Sequence, residues 1–399
     1  MDRRGMALLG VSHVVDDMNQ SALPALLPFL IAERGLSYTA AAGLMLFASI
    51  ASSVVQPAIG HLADRRSMPW LIALGVFLAG AGLALAGAMP TYWLIVPCVA
   101  LSGVGIAAFH PEAARFANYL AGAQKATGMR WFAVGGNVGF AAGPLLLTPL
   151  LVVFGTRGTL FVLLPASLMA LAVLRELPRL RGFAPPPPAP GANAGSDRWG
   201  PFIVLGAFVS LRSMAYIGLV AFMPLYFIAE LHASKPLANV ALAAFLGAGA
   251  LGTIYGGRLA DRIGRRATLV ASMLVAAPLL AGFLALATHG AGFGIALLAA
   301  MSVGFVLVAS QTAMVVLGQE YLPNRLGIAS GVTLGLAISL GGAGAPALGA
   351  IADRFGINAT IEAIVGLLVL SLLTTFALPR EAERSGAARE ALAAPALHT

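Results

Sequence analysis

Residues Ser12 to Ser21 read S-H-V-V-D-D-M-N-Q-S, in the middle of an apolar stretch running from about Gly5 to Ala32. His13, Asp16, Asp17 and Gln20 fall at i, i+3, i+4 and i+7, which places them on one face of a helix. The flanks, Met6 to Leu9 and Leu23 to Ile31, are as oily as lipid. A carboxylate near mid-membrane costs at least ~2.5 kcal/mol on insertion scales. Two carboxylates and an imidazole kept there imply a task. Together they can take up and release protons at the wall of a wet cavity. Asp17 is the expected carrier, His13 its tuning neighbour and Gln20 a ligand contact. Asp16 is a further proton-coupling candidate, the one whose part is least defined. The competing reading is a helix that begins late, near Asp17, and leaves both carboxylates in water.

Three further groups belong with this stripe. Phe109-His110-Pro111-Glu112-Ala113-Ala114-Arg115 sits in another apolar run. Glu112 and Arg115, at i and i+3, can pair on one helix face. His110 lies on the same broad side, and Pro111 loosens the local backbone hydrogen bonds. An embedded Glu–Arg pair beside a histidine suits a proton-responsive cluster. A structural ion pair at a helix end is the alternative. Arg212 is the only basic residue inside an apolar span of the second half of the chain. A guanidinium in a cavity can hold a phosphonate, phosphate or carboxylate in a bidentate grip. It can also pair with a carboxylate such as Asp17. Gln56, Asn137, Gln311 and Gln319 are further polar residues in apolar spans, where interhelical hydrogen bonding is the ordinary role. Gln56, Asn137 and Arg115 join Arg212 and Gln20 as candidate substrate contacts.

Composition dictates what positions these groups. Of 399 residues, 59% are hydrophobic and 10% charged, against about 25% charged in soluble domains. The chain is therefore an all-α integral membrane protein. A spanning helix needs about 20 mostly apolar residues. Twelve such segments are expected, at roughly 5–32, 37–60, 69–88, 91–119, 125–153, 158–175, 199–229, 237–258, 267–287, 291–319, 325–350 and 358–378. Between the sixth and seventh lies a Pro-rich stretch containing Pro185 to Pro188, a linker rather than a folded element. It divides the chain into an N-terminal half (1–175), a cytoplasmic linker (176–198), a C-terminal half (199–378) and a loose cytoplasmic tail (379–399).

Charge then orients the bundle. Of the 24 Lys and Arg residues, Arg34, Arg157, Lys235 and Arg354 fall in one set of loops, Arg212 lies in a span, and the other nineteen face the opposite side. The positive-inside rule places that side, with both termini, in the cytoplasm. The net charge of +8 is thus topology information and not a nucleic-acid footprint. The short apolar run after Arg3-Arg4 meets Asp16-Asp17 rather than a cleavage site, so the first segment is expected to stay as a helix. The single cysteine, Cys98, excludes an internal disulfide and a cysteine metal motif. No GxxxxGK[ST], H-E-x-x-H or G-x-S-x-G motif occurs, and Gly103-x-Gly105-x-x-Ala108 lies inside a span with no strand before it.

Internal repetition is visible. Gly60-His61-Leu62-Ala63-Asp64-Arg65-Arg66 recurs as Gly257-Arg258-Leu259-Ala260-Asp261-Arg262, followed by Arg265-Arg266, half a chain later. Gly143-Pro144 before Phe154-Gly155 recurs as Ala345-Pro346 before Phe355-Gly356, and Ala352-Asp353-Arg354 echoes Ala260-Asp261-Arg262 on the opposite face. Inverted three-plus-three repeats leave this trace. In the paired loops Gly permits a tight turn, and Asp can sit at a helix end and pair with an Arg from a neighbour, forming a latch. Gly135 to Pro144, with Gly139, Gly143 and Pro144, places small residues one turn apart, which allows close packing and a bend.

The paired loops resemble the signature loop of the major facilitator superfamily, and the Gly-rich fifth span resembles the antiporter motif of drug/proton exchangers. Ser12 to Ser21, Ser52-Ser53-Val54-Val55-Gln56-Pro57, Phe109-His110-Pro111-Glu112 with Arg115, Val134 to Gly139 with Gly143-Pro144, and Gln319-Glu320-Tyr321-Leu322-Pro323 with Arg325-Leu326-Gly327 together resemble the fosmidomycin resistance family of that superfamily. The resemblance implies two pseudo-symmetric six-helix bundles and proton-driven efflux of a drug or metabolite by alternating access. It also implies gating at Gly60, Asp64, Arg65, Gly257, Asp261, Arg262, Arg265, Gly139, Gly143 and Pro144. The family's namesake substrate is an anionic phosphonate with a hydroxamate, which suits Arg212. The expected protein is a monomer in the bacterial inner membrane, multi-pass, with a small-molecule substrate, protons and lipid as partners, and no cofactor, metal or nucleic acid. The alternatives are an importer or facilitator of an organic anion and, more remotely, an intramembrane metal-dependent enzyme using His110/Glu112 with His13/Asp17.

Overall fold

In the computed structural model the first apolar stretch is one long helix, α1 (Arg3–Arg34). The Asp2 side chain starts it by accepting from Gly5 N at 3.1 Å, and Gly35 ends it by donating to Ile31 O at 3.0 Å. Asp16 is fully buried and Asp17 is 4% exposed. A helix starting near Asp17, with the carboxylates in water, is therefore excluded.

The structure describes residues 1–65, 67–182, 196–325, 328–329, 332–333 and 337–379. The rest of the first half comprises α2 (Tyr38–Arg65), α3 (Trp70–Ala88), α4 (Tyr92–Ala121), α5 (Lys125–Phe154) and α6 (Leu163–Leu180). The second half comprises α7 (Trp199–Ala229), α8 (Lys235–Ile263), α9 (Arg265–Thr288), α10 (Phe293–Ala309), α11 (Gln311–Tyr321), α12 (Ala337–Phe355) and α13 (Ile357–Phe376). No strand occurs among the described residues. Eight helical segments among them are long and apolar enough to cross a membrane. The fold is all-α, as expected.

Two spans depart from expectation. The sixth begins with a 3-10 stretch, Gly155–Val162, and α6 then runs on to Leu180, past the expected end at 175. Ion pairs of Arg179 with Asp2 and of Arg4 with Glu176 tie that last turn to the start of α1. The tenth span is broken: Ser310 separates α10 from α11. Of the expected linker only the two ends are described, and the tail beyond Pro379 lies outside the described residues.

Small residues set the closest helix contact. A Cβ added at Gly135 would lie 2.4 Å from Gly10 O, at Gly139 2.4 Å from Val14 O, and at Gly143 2.5 Å from Met18 O. This ladder on α5 lets α1 pack backbone to backbone, and so fixes the rotation of the polar stripe. An apolar cluster including Leu9, Phe109, Phe116 and Phe132 holds the same region within the first half. A larger cluster crosses between the halves, through residues such as Leu26, Phe222 and Phe245.

The halves are clamped at the end of the bundle opposite the N-terminus. The Asp353 carboxylate, at the end of α12, accepts from Tyr38 N (2.8 Å), Thr39 N (2.9 Å) and Thr39 Oγ1 (2.6 Å) at the start of α2. Asn239 Nδ2, on α8, donates to Ala25 O (3.0 Å) and Thr148 Oγ1 (2.8 Å). Lys235 Nζ sits 4.8 Å from the centroid of the Phe29 ring.

Candidate transport site

Between the halves lies a cavity of about 430 Å³, within the range of small-molecule sites. α1 contributes His13, Asp17 and Gln20 to its wall, α5 contributes Gly136 and Asn137, α7 contributes Arg212 and Tyr216, and α11 contributes Gln311. Three of the four stripe residues thus face the cavity. Asp16 does not line it.

Asp17 stands between two imidazoles. His13 Nε2 lies 3.2 Å from Asp17 Oδ2, and His110 Nε2 lies 3.2 Å from Asp17 Oδ1. Each ring is oriented through its other nitrogen. His13 Nδ1 is 2.8 Å from Phe132 O, and His110 Nδ1 is 3.0 Å from Ile106 O. A carbonyl oxygen only accepts, so both Nδ1 atoms carry the hydrogen and donate it. The ring of His13 also stacks on Phe132, with centroids 4.1 Å apart. Asp16 Oδ2 is 3.6 Å from His110 Nδ1, beyond hydrogen-bond range, and neither Asp16 oxygen has a hydrogen-bond partner. A buried carboxylate in that position needs a proton or a neighbouring positive charge. His13, Asp17 and His110 also bring three potential metal-ligating atoms within 4.8 Å of one another, a grouping of the kind for which the sequence expected no metal.

Arg212 approaches from the other half. Its Nε donates to Ser310 Oγ at 2.8 Å, and its Nη2 to Leu307 O at 3.0 Å. The guanidinium therefore caps the C-terminal, negative end of α10 at the break. Pairing with Asp17, the alternative weighed from sequence, is not the arrangement seen. Nη1 makes no hydrogen bond among the described residues and is left for the cavity. Tyr216, one turn further along α7, lines the same wall. The side-chain amides of Gln20, Asn137 and Gln311 likewise line the cavity, with no hydrogen-bond partner among the described residues.

Several of the expected site residues lie away from the cavity or make other contacts. Glu112 does not join the cavity cluster. It is fully buried, and its Oε1 accepts from Arg115 Nη2 at 2.7 Å and from Met68 N at 2.8 Å. Arg115 also lies over the rings of Phe116 and Tyr119, at 5.9 and 5.8 Å. The pair ties α4 to the turn before α3, and neither residue is among those lining the cavity. Gln56 is half-buried and is not among the lining residues. Gly257 lies inside α8, and the tight turn into α9 is made instead by Gly264, at φ 91°. Gly139 and Gly143 pack on α1 within their own half, because α5 presents that face to α1. Pro144 lies within α5, where its carbonyl accepts from Thr148 Oγ1.

In the second signature loop, Arg265 Nη1 pairs with Glu320 Oε1 at 2.8 Å, while Asp261 and Arg262 are exposed. Gly60, Asp64 and Arg65 are described only as backbone of α2, and Arg66 lies outside the described residues. Sequence reasoning missed three residues. Tyr216 was findable at i+4 from Arg212 on one helix face. Asn239 and the clamp at Asp353 carry no local signal, since their partners are in the other half.

Paired helical halves, a buried charged cluster and a guanidinium on one cavity define a membrane transporter. The chain belongs to the major facilitator superfamily, whose family model matches residues 9–346. It is 30% identical over 385 residues to the fosmidomycin resistance protein of Escherichia coli (strain K12), covering 93% of this chain and 92% of that protein. It is 32% identical over 388 residues to the MFS-type transporter YfnC of Bacillus subtilis (strain 168), covering 94% and 93%. Among solved structures it superimposes, with a TM-score of 0.77 and 16% identity, on a bacterial homolog of the human lysosomal transporter Spinster, covering 94% of this chain and 96% of that one. The motif resemblance to the fosmidomycin resistance family is borne out. The relatives are transporters, so the enzyme alternative falls.

Proposed function

We propose that the chain is a proton-coupled antiporter that exports a small organic anion by alternating access, with fosmidomycin the first compound to test. One observation carries this reading: Asp17, held between His13 and His110, and Arg212 line the same cavity from opposite halves. The anion takes the open Nη1 edge of Arg212, with Gln20, Asn137 and Tyr216 around it. Protons arriving at Asp17 and its histidines neutralise the opposite wall. Substrate and proton thus draw on one charge balance, which is what exchange requires. The E. coli relative's name supports the substrate class.

The distribution of basic loops supports an orientation with both termini cytoplasmic, and the reading takes the chain as a monomer in the bacterial inner membrane. The clamps at Asp353 and Asn239 then close the outer end, and the cavity faces the cytoplasm. Export requires those clamps to break and the signature loops at the inner end to close, Asp64 and Asp261 among them.

The test is efflux from proteoliposomes under an imposed pH gradient. Wild type is expected to move fosmidomycin against its gradient, Asp17→Asn to bind it without gradient-driven movement, and Arg212→Ala to lose binding. If both variants behave like wild type, the assignment of the site fails. Flux in inverted vesicles fixes the direction, and uptake in place of extrusion removes the efflux reading.

A further inference from the structure

The two histidines beside Asp17 are arranged more specifically than a proton carrier requires. Both imidazoles donate Nδ1–H to a backbone carbonyl, Phe132 O for His13 and Ile106 O for His110. That fixes both tautomers and turns both Nε2 atoms onto one carboxylate. A neutral ring held this way presents a lone pair at Nε2, not a donor. Asp17 Oδ2 lies 3.2 Å from His13 Nε2, and Asp17 Oδ1 3.2 Å from His110 Nε2. Two nitrogen lone pairs and a carboxylate converge on a position that calls for a cation. Metal-ligating histidines commonly donate their other ring N–H to a backbone carbonyl in this way.

The distances fit a metal as well. Zinc–nitrogen and zinc–oxygen bonds are ~2.0–2.2 Å, so ligand atoms around a tetrahedral ion are about 3.3–3.5 Å apart. The two His–Asp separations, each to a different carboxylate oxygen, are 3.2 Å. One ligand atom from each of the three residues lies within 4.8 Å of the other two, close enough for small side-chain shifts to close them on one ion. A Cβ at Gly136 would lie 2.5 Å from Asp17 Oδ2 and 2.7 Å from His13 Nε2, so only a glycine lets α5 lie against both ligating atoms without displacing them. His13 and Asp17 line the cavity, and the His110 side chain is 27% exposed. An ion entering from the cavity water can reach them, and its fourth position faces that water.

We propose that His13 Nε2, Asp17 and His110 Nε2 form a binding site for a divalent transition cation of the zinc class. Two imidazoles with one carboxylate select such an ion over magnesium or calcium, which prefer all-oxygen shells. The site needs neither a gradient nor an organic substrate to fill, so its test is independent of the transport reading.

Purified full-length protein is titrated with Zn2+ by calorimetry and with Co2+ by visible absorption, with Mg2+ as control. The expected result is one Zn2+ or Co2+ per chain, Co2+ bands of a low-coordinate nitrogen and oxygen site, and no Mg2+ binding. Affinity should fall at least tenfold in His13→Ala and in His110→Ala. It should fall likewise in Gly136→Ala, which keeps every ligand but pushes Asp17 Oδ2 and His13 Nε2 out of place. It should hold in His289→Ala, an exposed position. Binding that persists in the His13→Ala/His110→Ala double variant, or that is unchanged in Gly136→Ala, overturns the site. Should the variants not fold, X-ray absorption on zinc-loaded wild type decides. Two imidazoles in the first shell support the site, and one or none refutes it.

Discussion

Asp353→Ala should release the end of the bundle opposite the N-terminus. The Asp353 carboxylate accepts two backbone N–H groups and a hydroxyl at the start of α2, in the other half. Ser37 Oγ already accepts from Ala40 N at 3.1 Å, so Asp353 supplies a second cap across the interface. Removing a cap costs about 0.5–2 kcal/mol, and removing an exposed charge from a helix N-terminus costs about 0.3–1 kcal/mol more. A net loss of about 1–2 kcal/mol shifts the balance toward the state open at that end by about 5- to 30-fold. Spin labels at Ala32→Cys and Leu237→Cys, in a Cys98→Ser background, report the separation of the halves by pulsed electron spin resonance. The longer-distance population should grow by that factor in Asp353→Ala and by less in Asp353→Asn. Burial pushes the Asp353 carboxyl up, but hydrogen bonds from Thr39, Tyr38 and Ser37 outweigh it and hold the group below the ordinary carboxylate value. Such a group contributes fully above the ordinary carboxylate range and loses its contribution as pH falls through the lowered value. The clamp should therefore be the same at about pH 8 and about pH 6. An unchanged distance distribution in Asp353→Ala refutes the clamp.

Gly139→Val puts a side chain where a Cβ already lies 2.4 Å from Val14 O. It should destabilise the protein by about 1–3 kcal/mol, read as a lower melting temperature in detergent, whereas Gly282→Ala, with nothing within 4 Å, should have little effect. Glu112→Gln should lower thermal stability, since it weakens the buried tie to Arg115 and Met68. It should leave gradient-driven transport coupled, and a loss of coupling at full stability would restore Glu112 as a proton carrier. Arg212→Lys keeps the charge but loses the planar fork that caps α10 and offers Nη1. Anion binding measured by calorimetry should weaken by about tenfold or more, and unchanged affinity would remove Arg212 from the site.

The stripe on α1 was legible because helical periodicity and the cost of charge in lipid act on the sequence directly. The Glu112–Arg115 pair was equally local, at i and i+3. Its function was not, because whether the pair faces water or a neighbouring turn depends on how α4 packs against α3. The convergence of His110 on Asp17 was illegible for the same reason. It is set by the rotation of α1 against α4, which the glycines of α5 fix through α1's backbone. The break at Ser310 has no Gly or Pro to announce it, and it is capped by Arg212 from another helix. Asp353 showed up only as a repeat of Ala260-Asp261-Arg262. Its partner is in the opposite half, and a contact across that distance leaves no spacing to read.

Proton flux tests the central claim most directly. Proteoliposomes carrying a pH-sensitive dye, with no pH gradient at the start, are given a gradient of fosmidomycin. Substrate movement in one direction should drive protons in the other in wild type. In Asp17→Asn the substrate should still bind while the dye stays silent. Proton movement of equal size in Asp17→Asn, or substrate movement in wild type with none, would contradict coupling through Asp17.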